Sequence, residues 1–300
     1  MSRIEKALEK VAREKGTGKP DREQAKLKEV LSLSVEAATS QEDPLDLGKL
    51  DPLLQTLHQP FSLMAEQFKA LRTHLLQVKE KYKHNLFLIT SVSGSEGKSM
   101  VVLNLAISIA QVFNERVLLV ESDFRKPNLA SMLGLSVSSG LVEFLQDKSD
   151  GNGLLKATGI EGLTLLPAGQ AAANPAELVG SPKVELLLRE LKRSDPNRII
   201  LLDSPPLLPV TDARILASKV DGIILVVQTL KTPRDGIDRV LSTIDGAPSL
   251  GVVLNRVPLA EVSAYSTRYV YGTDNDPASS TDGGRTASSK AGRWKRWRRV

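Results

Sequence analysis

Apolar positions follow three different patterns along this chain. Over residues 1–15, Ile4, Leu8 and Val11 recur at i, i+4 and i+7 among Lys and Glu, which predicts one apolar face of a helix. Residues 16–56 lose that period and are rich in Gly, Pro, Ser and charge, which predicts a mobile linker with at most short helices. The stretch FSLMAEQFKALRTHLLQVK, 61–79, predicts a second amphipathic helix. From residue 86 short β-type runs alternate with helical stretches: LFLIT (86–90), RVLLV (116–120), LTLLP (163–167), RIILL (198–202), GIILVV (222–227) and GVVLN (251–255). Several are apolar almost without a break, as strands covered on both faces by helices must be. The alternation predicts an α/β fold, a doubly wound and mostly parallel sheet flanked by helices. Ligands of such sheets lie at the carboxyl ends of the strands.

The chemistry-bearing residues cluster at those ends. LFLIT runs into SVSGSEGKSMVVLNLA, 91–106. A Gly-rich turn that leaves a strand and opens a helix aims free backbone N–H groups, and the positive end of the helix dipole, at an anion. This phosphate loop makes Gly94, Ser95, Glu96, Gly97, Lys98, Ser99 and Met100 the candidate nucleotide-binding residues. Lys98 would reach the β- and γ-phosphates and the Ser99 hydroxyl would hold Mg²⁺. One departure stands out: the general pattern has Gly five positions before Gly97, and Val92 is there. The bland alternative is an ordinary Ser-capped turn.

RVLLV ends in ESDFRKP, where Glu121 and Asp123, two apart, project from one strand edge. One acid can hold a metal-bound water and the other accept a proton from an attacking hydroxyl; a surface turn after a strand explains them equally well. RIILL ends in DSPPLLPVTDA, which places Asp203 where phosphate-loop enzymes keep a second Mg²⁺-holding acid. Asp212 reads as a helix cap. GVVLN ends on Asn255, whose donor and acceptor suit the edge of a nucleotide base or, equally, a turn.

Composition narrows the class. Apolar residues make up 41% of 300, enough for a sizeable core, and there is no cysteine, hence no disulfide and no thiolate metal site. The charged opening MSRIEKALEKVAREKG lacks a signal-peptide core, and no apolar run reaches the roughly 20 residues of a membrane span, so the expectation is a cytoplasmic protein. Residues 283–300 carry seven basic groups and no acid, more than the chain's whole net charge of +5, so the remainder is net negative. The body is therefore not a general polyanion binder, and no nucleic acid is expected as a partner. Trp294 and Trp297 among the arginines of RWKRWRR suit an anionic membrane surface, or are simply a solvated charged terminus. From residue 272 the composition is that of a disordered tail.

Together these motifs resemble the bacterial tyrosine kinases of capsule and exopolysaccharide operons, in the form where the kinase is a separate cytoplasmic chain. The resemblance covers about residues 60–272. It is carried by ITSVSGSEGKSMVVLNLA, VLLVESDFRKP, LLPAGQAAANPAEL, IILLDSPPLLPVTDA and GVVLNRV, and the opening MSRIEKALEK is similar to the exosortase-associated variant. It implies a phosphate-loop NTPase sheet over residues 58–272, preceded by a helix and linker (1–57) and followed by a basic tail (273–300). It implies ATP and Mg²⁺ as cofactors, and Lys98, Asp123, Glu121 and Asp203 as catalytic residues, with Ser99 and Asp203 on the metal. The family's Asp-x-Asp-x-Arg pattern falls on Glu121, Asp123 and Arg125, so a longer acid replaces the first aspartate.

The resemblance also gives Tyr265, Tyr269 and Tyr271, three of the chain's four tyrosines, a role as phosphoacceptors, modified in trans by a neighbouring subunit. On spacing alone they would read as packing on a terminal helix. A ring-forming Glu-x-x-Arg-x-x-Arg pattern falls on Glu66, Lys69 and Arg72. The family implies activation by the cytosolic tail of a membrane protein that sets polysaccharide chain length, and so a location at the inner face of the membrane. Two alternatives stay open: an ATP-driven switch of the partition or division type, which would carry an extra lysine where Ser93 stands, and a weakened kinase acting as a nucleotide-dependent scaffold.

Overall fold

A computed structural model describes residues 27, 28, 30, 47–244 and 249–258. The predicted helix over 1–15, the tyrosines at 265, 269 and 271 and the basic tail lie outside the described residues.

Seven strands form one sheet: β1 (Leu86–Ser91), β2 (Val117–Glu121), β3 (Lys156–Ala157), β4 (Leu163–Leu166), β5 (Ile199–Asp203), β6 (Gly222–Gln228) and β7 (Ser249–Asn255). Their order is β3-β4-β2-β5-β1-β6-β7. All pairings are parallel except that of β3, a two-residue antiparallel edge strand that the hydrophobic pattern does not announce. The chain leaves β1 toward β2 on one side, and later reaches β6 and β7 on the other. Strand order thus reverses at β1, where open α/β sheets place their ligands.

The helices are α1 (Gln55–His58), α2 (Leu63–Tyr82), α3 (Lys98–Ala110), α4 (Leu129–Met132), α5 (Leu141–Leu145), α6 (Pro175–Val179), α7 (Pro182–Ser194), α8 (Asp212–Ala217) and α9 (Arg234–Thr243). Strand alternation divides the core. Leu86 and Leu88 of β1 face one cluster with α7, α8 and α9, whereas Phe87 and Ile89 face another with α2 and α3. α2 starts at Ser62, whose Oγ accepts the Ala65 N–H, and buries Ala65, Phe68, Leu75 and Val78 as a stripe at helical spacing. α3 is buried nearly all round, which explains why LNLAISIA shows almost no polar face.

The segment expected to be a linker does contain short helices, but they are packed. Leu50 and Leu54 are buried, the Thr56 N–H donates to Asn104 Oδ1, and the Asp51 N–H donates to the Met132 carbonyl. Leu27, Lys28 and Val30 are helical too, and Leu27 and Val30 are buried. No helix among the described residues is long and apolar enough to cross a membrane.

Candidate active site

The phosphate loop lies at the carboxyl end of β1. Ser95 and Gly97 both take positive φ, +63° and +89°, and Gly97 precedes α3 directly. Val92, which breaks the general pattern, is buried, and its methyl group lies 3.0 Å from where a β-carbon on Gly236 of α9 would be. The side chain at position 92 therefore serves the core.

Glu96 is a scaffold of the loop. Its buried carboxylate accepts from the Ser93 N–H and hydroxyl, both at 3.1 Å, and from the Thr232 hydroxyl beyond β6. Thr232 carries no motif, and sequence reasoning passed over it. Asn255, a candidate for the base edge, donates from Nδ2 to the Glu96 carbonyl at 2.8 Å, and its Oδ1 accepts the Arg256 N–H. One donor and one acceptor site of its amide thus tie β7 to the loop and to the turn that follows.

Lys98, the first residue of α3, is buried. Ser99 donates from Oγ to Asp203 Oδ2 at 2.8 Å. Asp203 is 1% exposed, and its Oδ1 has no hydrogen-bond partner. Burial pushes its pKa up to about 7, against the opposing pull of Lys98 and the Ser99 hydroxyl. An orphaned carboxylate oxygen beside a serine hydroxyl fits a hard divalent cation with oxygen ligands. No group of three or more potential His, Cys, Asp or Glu ligands occurs among the described residues. A Mg²⁺ here would therefore take one carboxylate, one hydroxyl and oxygens from outside the chain, the usual pattern for Mg²⁺ shared with a nucleotide.

β2 brings the other acids alongside: Glu121 pairs in register with Asp203. Glu121 does not present its carboxylate freely to the site. Oε1 accepts the N–H groups of Asn128 and Leu129, at 2.5 and 2.6 Å, and Oε2 accepts that of Ala168 at 2.9 Å. The extra methylene relative to aspartate carries the group onto the start of α4 and the strand exit after β4. Burial holds its pKa above the ordinary glutamate value, against the three N–H groups, which pull it down.

Asp123 is half-buried. Its Oδ1 accepts the Arg125 and Lys126 N–H groups, both at 3.2 Å. Arg125 forms a two-pronged pair with Asp212, Nε to Oδ2 at 2.8 Å and Nη2 to Oδ1 at 3.2 Å. Asp212 is therefore no simple cap. Thr211 occupies the N-cap position, and Asp212, first in α8, is buried and turned onto Arg125.

The residues read as ring-forming lie on α2, and none of them is hydrogen-bonded to the acids at these strand ends. Glu66 is exposed and pairs with Lys69 at 2.6 Å, and Lys69 also donates to the Pro60 carbonyl. Arg72 donates from Nη1 to the Ser108 carbonyl at 2.8 Å, near the C-terminal end of α3. Met100 is only partly buried and packs on the core cluster beneath α3.

A glycine-rich turn between a central parallel strand and a buried helix, with Lys98, Ser99 and a buried aspartate on the adjacent strand, defines a nucleotide-binding domain of the phosphate-loop class. A family model described as an AAA domain matches residues 86–250. The putative tyrosine-protein kinase CapB of Staphylococcus aureus is 32% identical over 218 residues, 72% of this chain and 93% of the relative. The tyrosine-protein kinase YwqD of Bacillus subtilis is 31% identical over 220 residues, 73% of this chain and 90% of its own. The crystal structure of the chimerical protein CapA2B2 superposes with a TM-score of 0.64 at 29% identity, over 74% of this chain and 99% of that one. The chain belongs to the family of bacterial tyrosine-protein kinases.

Proposed function

We propose that this chain transfers the γ-phosphoryl group of ATP to Tyr265, Tyr269 and Tyr271 of a neighbouring copy. In this reading the phosphorylation governs the chain length or export of an exopolysaccharide, together with a membrane-embedded regulator. The observation that carries the reading is the Ser99–Asp203 pair, 2.8 Å apart, with Asp203 Oδ1 buried and unpartnered at the mouth of the phosphate loop. It is the arrangement expected where phosphate, cation and carboxylate meet. The family membership supplies the acceptor chemistry.

Lys98 and the loop amides would hold the β- and γ-phosphates, and Ser99 and Asp203 would hold Mg²⁺. Once bound, the cation neutralises charge on the phosphate oxygens. Asp123 takes the phenolic proton as the tyrosine oxygen bonds to phosphorus and the bond to the β-phosphate oxygen breaks, releasing ADP. A phenol with a pKa near 10 needs such a base close by. Glu121 acts indirectly, by holding the exits of β2 and β4 together through three N–H groups. Subunits meet through the α2 face bearing Glu66, Lys69 and Arg72. The basic, tryptophan-bearing tail contacts an anionic membrane surface, which keeps the enzyme at the inner face of the membrane.

The test is to incubate the purified chain with Mg-ATP, alone and with candidate activator tails, and to map phosphotyrosine by mass spectrometry. Lys98→Ala and the triple Tyr→Phe variant serve as controls. Phosphotyrosine at 265, 269 and 271 that both controls abolish is the expected result. Phosphate release without phosphotyrosine would replace this reading with an ATPase switch.

A further inference from the structure

The ion pair between Arg125 and Asp212 joins two segments that both carry site residues. One is the turn after β2, with Asp123; the other is the connection from β5 to α8, which begins at Asp203 and ends at Asp212. The same connection grips the turn a second time, because Ser122 donates to the Asp203 carbonyl from its N–H at 2.8 Å and from its Oγ at 2.6 Å. Asp123 is thus bracketed: residue 122 is tied to residue 203 and residue 125 to residue 212. A third tie, the Ala172 N–H on the Phe124 carbonyl at 2.8 Å, comes from beyond β4.

The pair is an expensive way to close a turn. Asp212 is 1% exposed while Arg125 is 40% exposed, so a carboxylate has been taken out of water to meet a guanidinium that has not. A well-packed apolar pair commonly serves stability as well as a buried ion pair does. What the ion pair adds is direction. Two parallel N–H···O bonds from a planar fork fix the orientation of one segment against the other, as a lysine or an apolar contact does not. Arg125 leaves the base role to Asp123, whose Oδ1 accepts its backbone N–H.

We propose that Arg125 and Asp212 form a positioning pair that sets where the Asp123 carboxylate stands relative to Asp203. The inference rests on the proposed function, in which Asp123 is the base and Asp203 holds the cation. The pair belongs to the transfer step and not to nucleotide capture, since the phosphate loop is held by other contacts, through Glu96 and Asn255.

Arg125→Lys keeps the positive charge opposite Asp212 and removes the fork; Asp212→Asn keeps the shape and removes the charge. Each is expected to lower kcat for tyrosine phosphorylation by roughly 10- to 100-fold, the cost of a misplacement near 1 Å. The KM for Mg-ATP and the binding of a fluorescent nucleotide analogue should stay within about twofold. The double variant should be no worse than the poorer single one, since both remove the same tie. Unchanged kcat, additive losses, or a KM that rises in step with the fall in kcat would overturn the proposal.

Amide hydrogen exchange over residues 122–128 gives a reading that does not need catalysis. Arg125→Lys should speed exchange there while leaving α3 protected, and unchanged exchange counts against the pair. Asp123→Asn run in parallel separates the two claims. If the unaltered chain forms no phosphotyrosine, the proposed function fails and the exchange result alone decides for or against the tie. If Asp123→Asn is inactive while Arg125→Lys works normally, the positioning role alone fails.

Discussion

Asn255 occupies the space that a side chain on residue 97 would need: a β-carbon on Gly97 would come 2.2 Å from Asn255 Nδ2. The last strand of the sheet therefore closes over the phosphate loop and holds it through the Glu96 carbonyl, at 2.8 Å.

Gly97→Ala should abolish nucleotide binding, because the clash and the φ of +89° both act against it. Asn255→Ala removes the hydrogen bond to the loop, worth about 1 kcal/mol, along with the one that caps the turn after β7, and loss of the loop bond should weaken a fluorescent nucleotide analogue roughly fivefold. The double variant should recover only part of the binding, since clearing the space still leaves the left-handed conformation of residue 97 unfavourable for alanine by about 1–2 kcal/mol. Full recovery of binding would show that the clash alone matters.

Glu121 should matter to stability in its own right. Glu121→Gln turns an amide N–H₂ toward backbone donors that now face a carboxylate oxygen, and a buried donor left unsatisfied costs about 1–3 kcal/mol. Glu121→Asp, one methylene shorter, should lose either the Asn128 and Leu129 contacts or the Ala168 contact. Chemical denaturation measures both variants. An undiminished midpoint for Glu121→Asp would mean that the extra methylene is not what joins the β2 and β4 exits.

The pH response of the metal-free chain follows from Asp203. Its folded pKa, pushed up to about 7, lies above the value near 3.9 of an unfolded aspartate. Between those values the folded chain holds a proton that the unfolded chain has released. The stability contributed by this group is full below about pH 4 and is lost as pH rises through about 7. Asp203→Asn should therefore raise the metal-free melting temperature at pH 8 and leave it almost unchanged at pH 4. Mg²⁺ competes with the same proton, so its affinity should weaken as pH falls below about 7, and Asp203→Asn should remove Mg²⁺-dependent stabilisation. A melting temperature for Asp203→Asn that tracks the unaltered chain at both pH values would refute the assignment.

On α2, Glu66 and Arg72 should behave differently. Glu66 is exposed with only an i, i+3 pair to Lys69, so Glu66→Ala should shift stability by less than about 1 kcal/mol while weakening self-association in sedimentation runs. Arg72→Ala also frees the Ser108 carbonyl, and should lower stability as well as assembly. Equal sedimentation of Glu66→Ala and the unaltered chain would remove Glu66 from the interface.

The positions of β1, β2, β4, β5 and β6 were legible because burial on both faces leaves almost only apolar choices; β7 showed the same apolar pattern although Val252 and Leu254 are exposed. All six predicted runs correspond to strands, with ends that agree to within two residues. β3 was not legible, since two half-buried residues on an edge need no apolar signature. The phosphate loop was legible from LFLIT followed by GSEGKS, whereas its supports were not, because Thr232, in the turn after β6, and Asn255, at the end of β7, lie far away in sequence. Asp212 read as a cap since an acid at a helix start has that local use; its partner lies 87 residues away. Glu121 read as a site acid because it ends a strand two residues before Asp123, and the structure does place it in register with Asp203; position on the strand does not reveal where a longer side chain turns.

Val30 sits in a notch that only glycine can leave. A β-carbon at Gly151, whose φ is +88°, would come 2.5 Å from a Val30 methyl and 2.9 Å from the Phe144 ring, and Lys28 stands 4.0 Å from Glu190 of α7. Cutting the protein down to its recognisable catalytic portion, from residue 58 onward, would thus pull a plug out of the wall. Phe144 and the backbone at 151 would face water, and the shortened molecule should prove stickier and easier to digest than its parent.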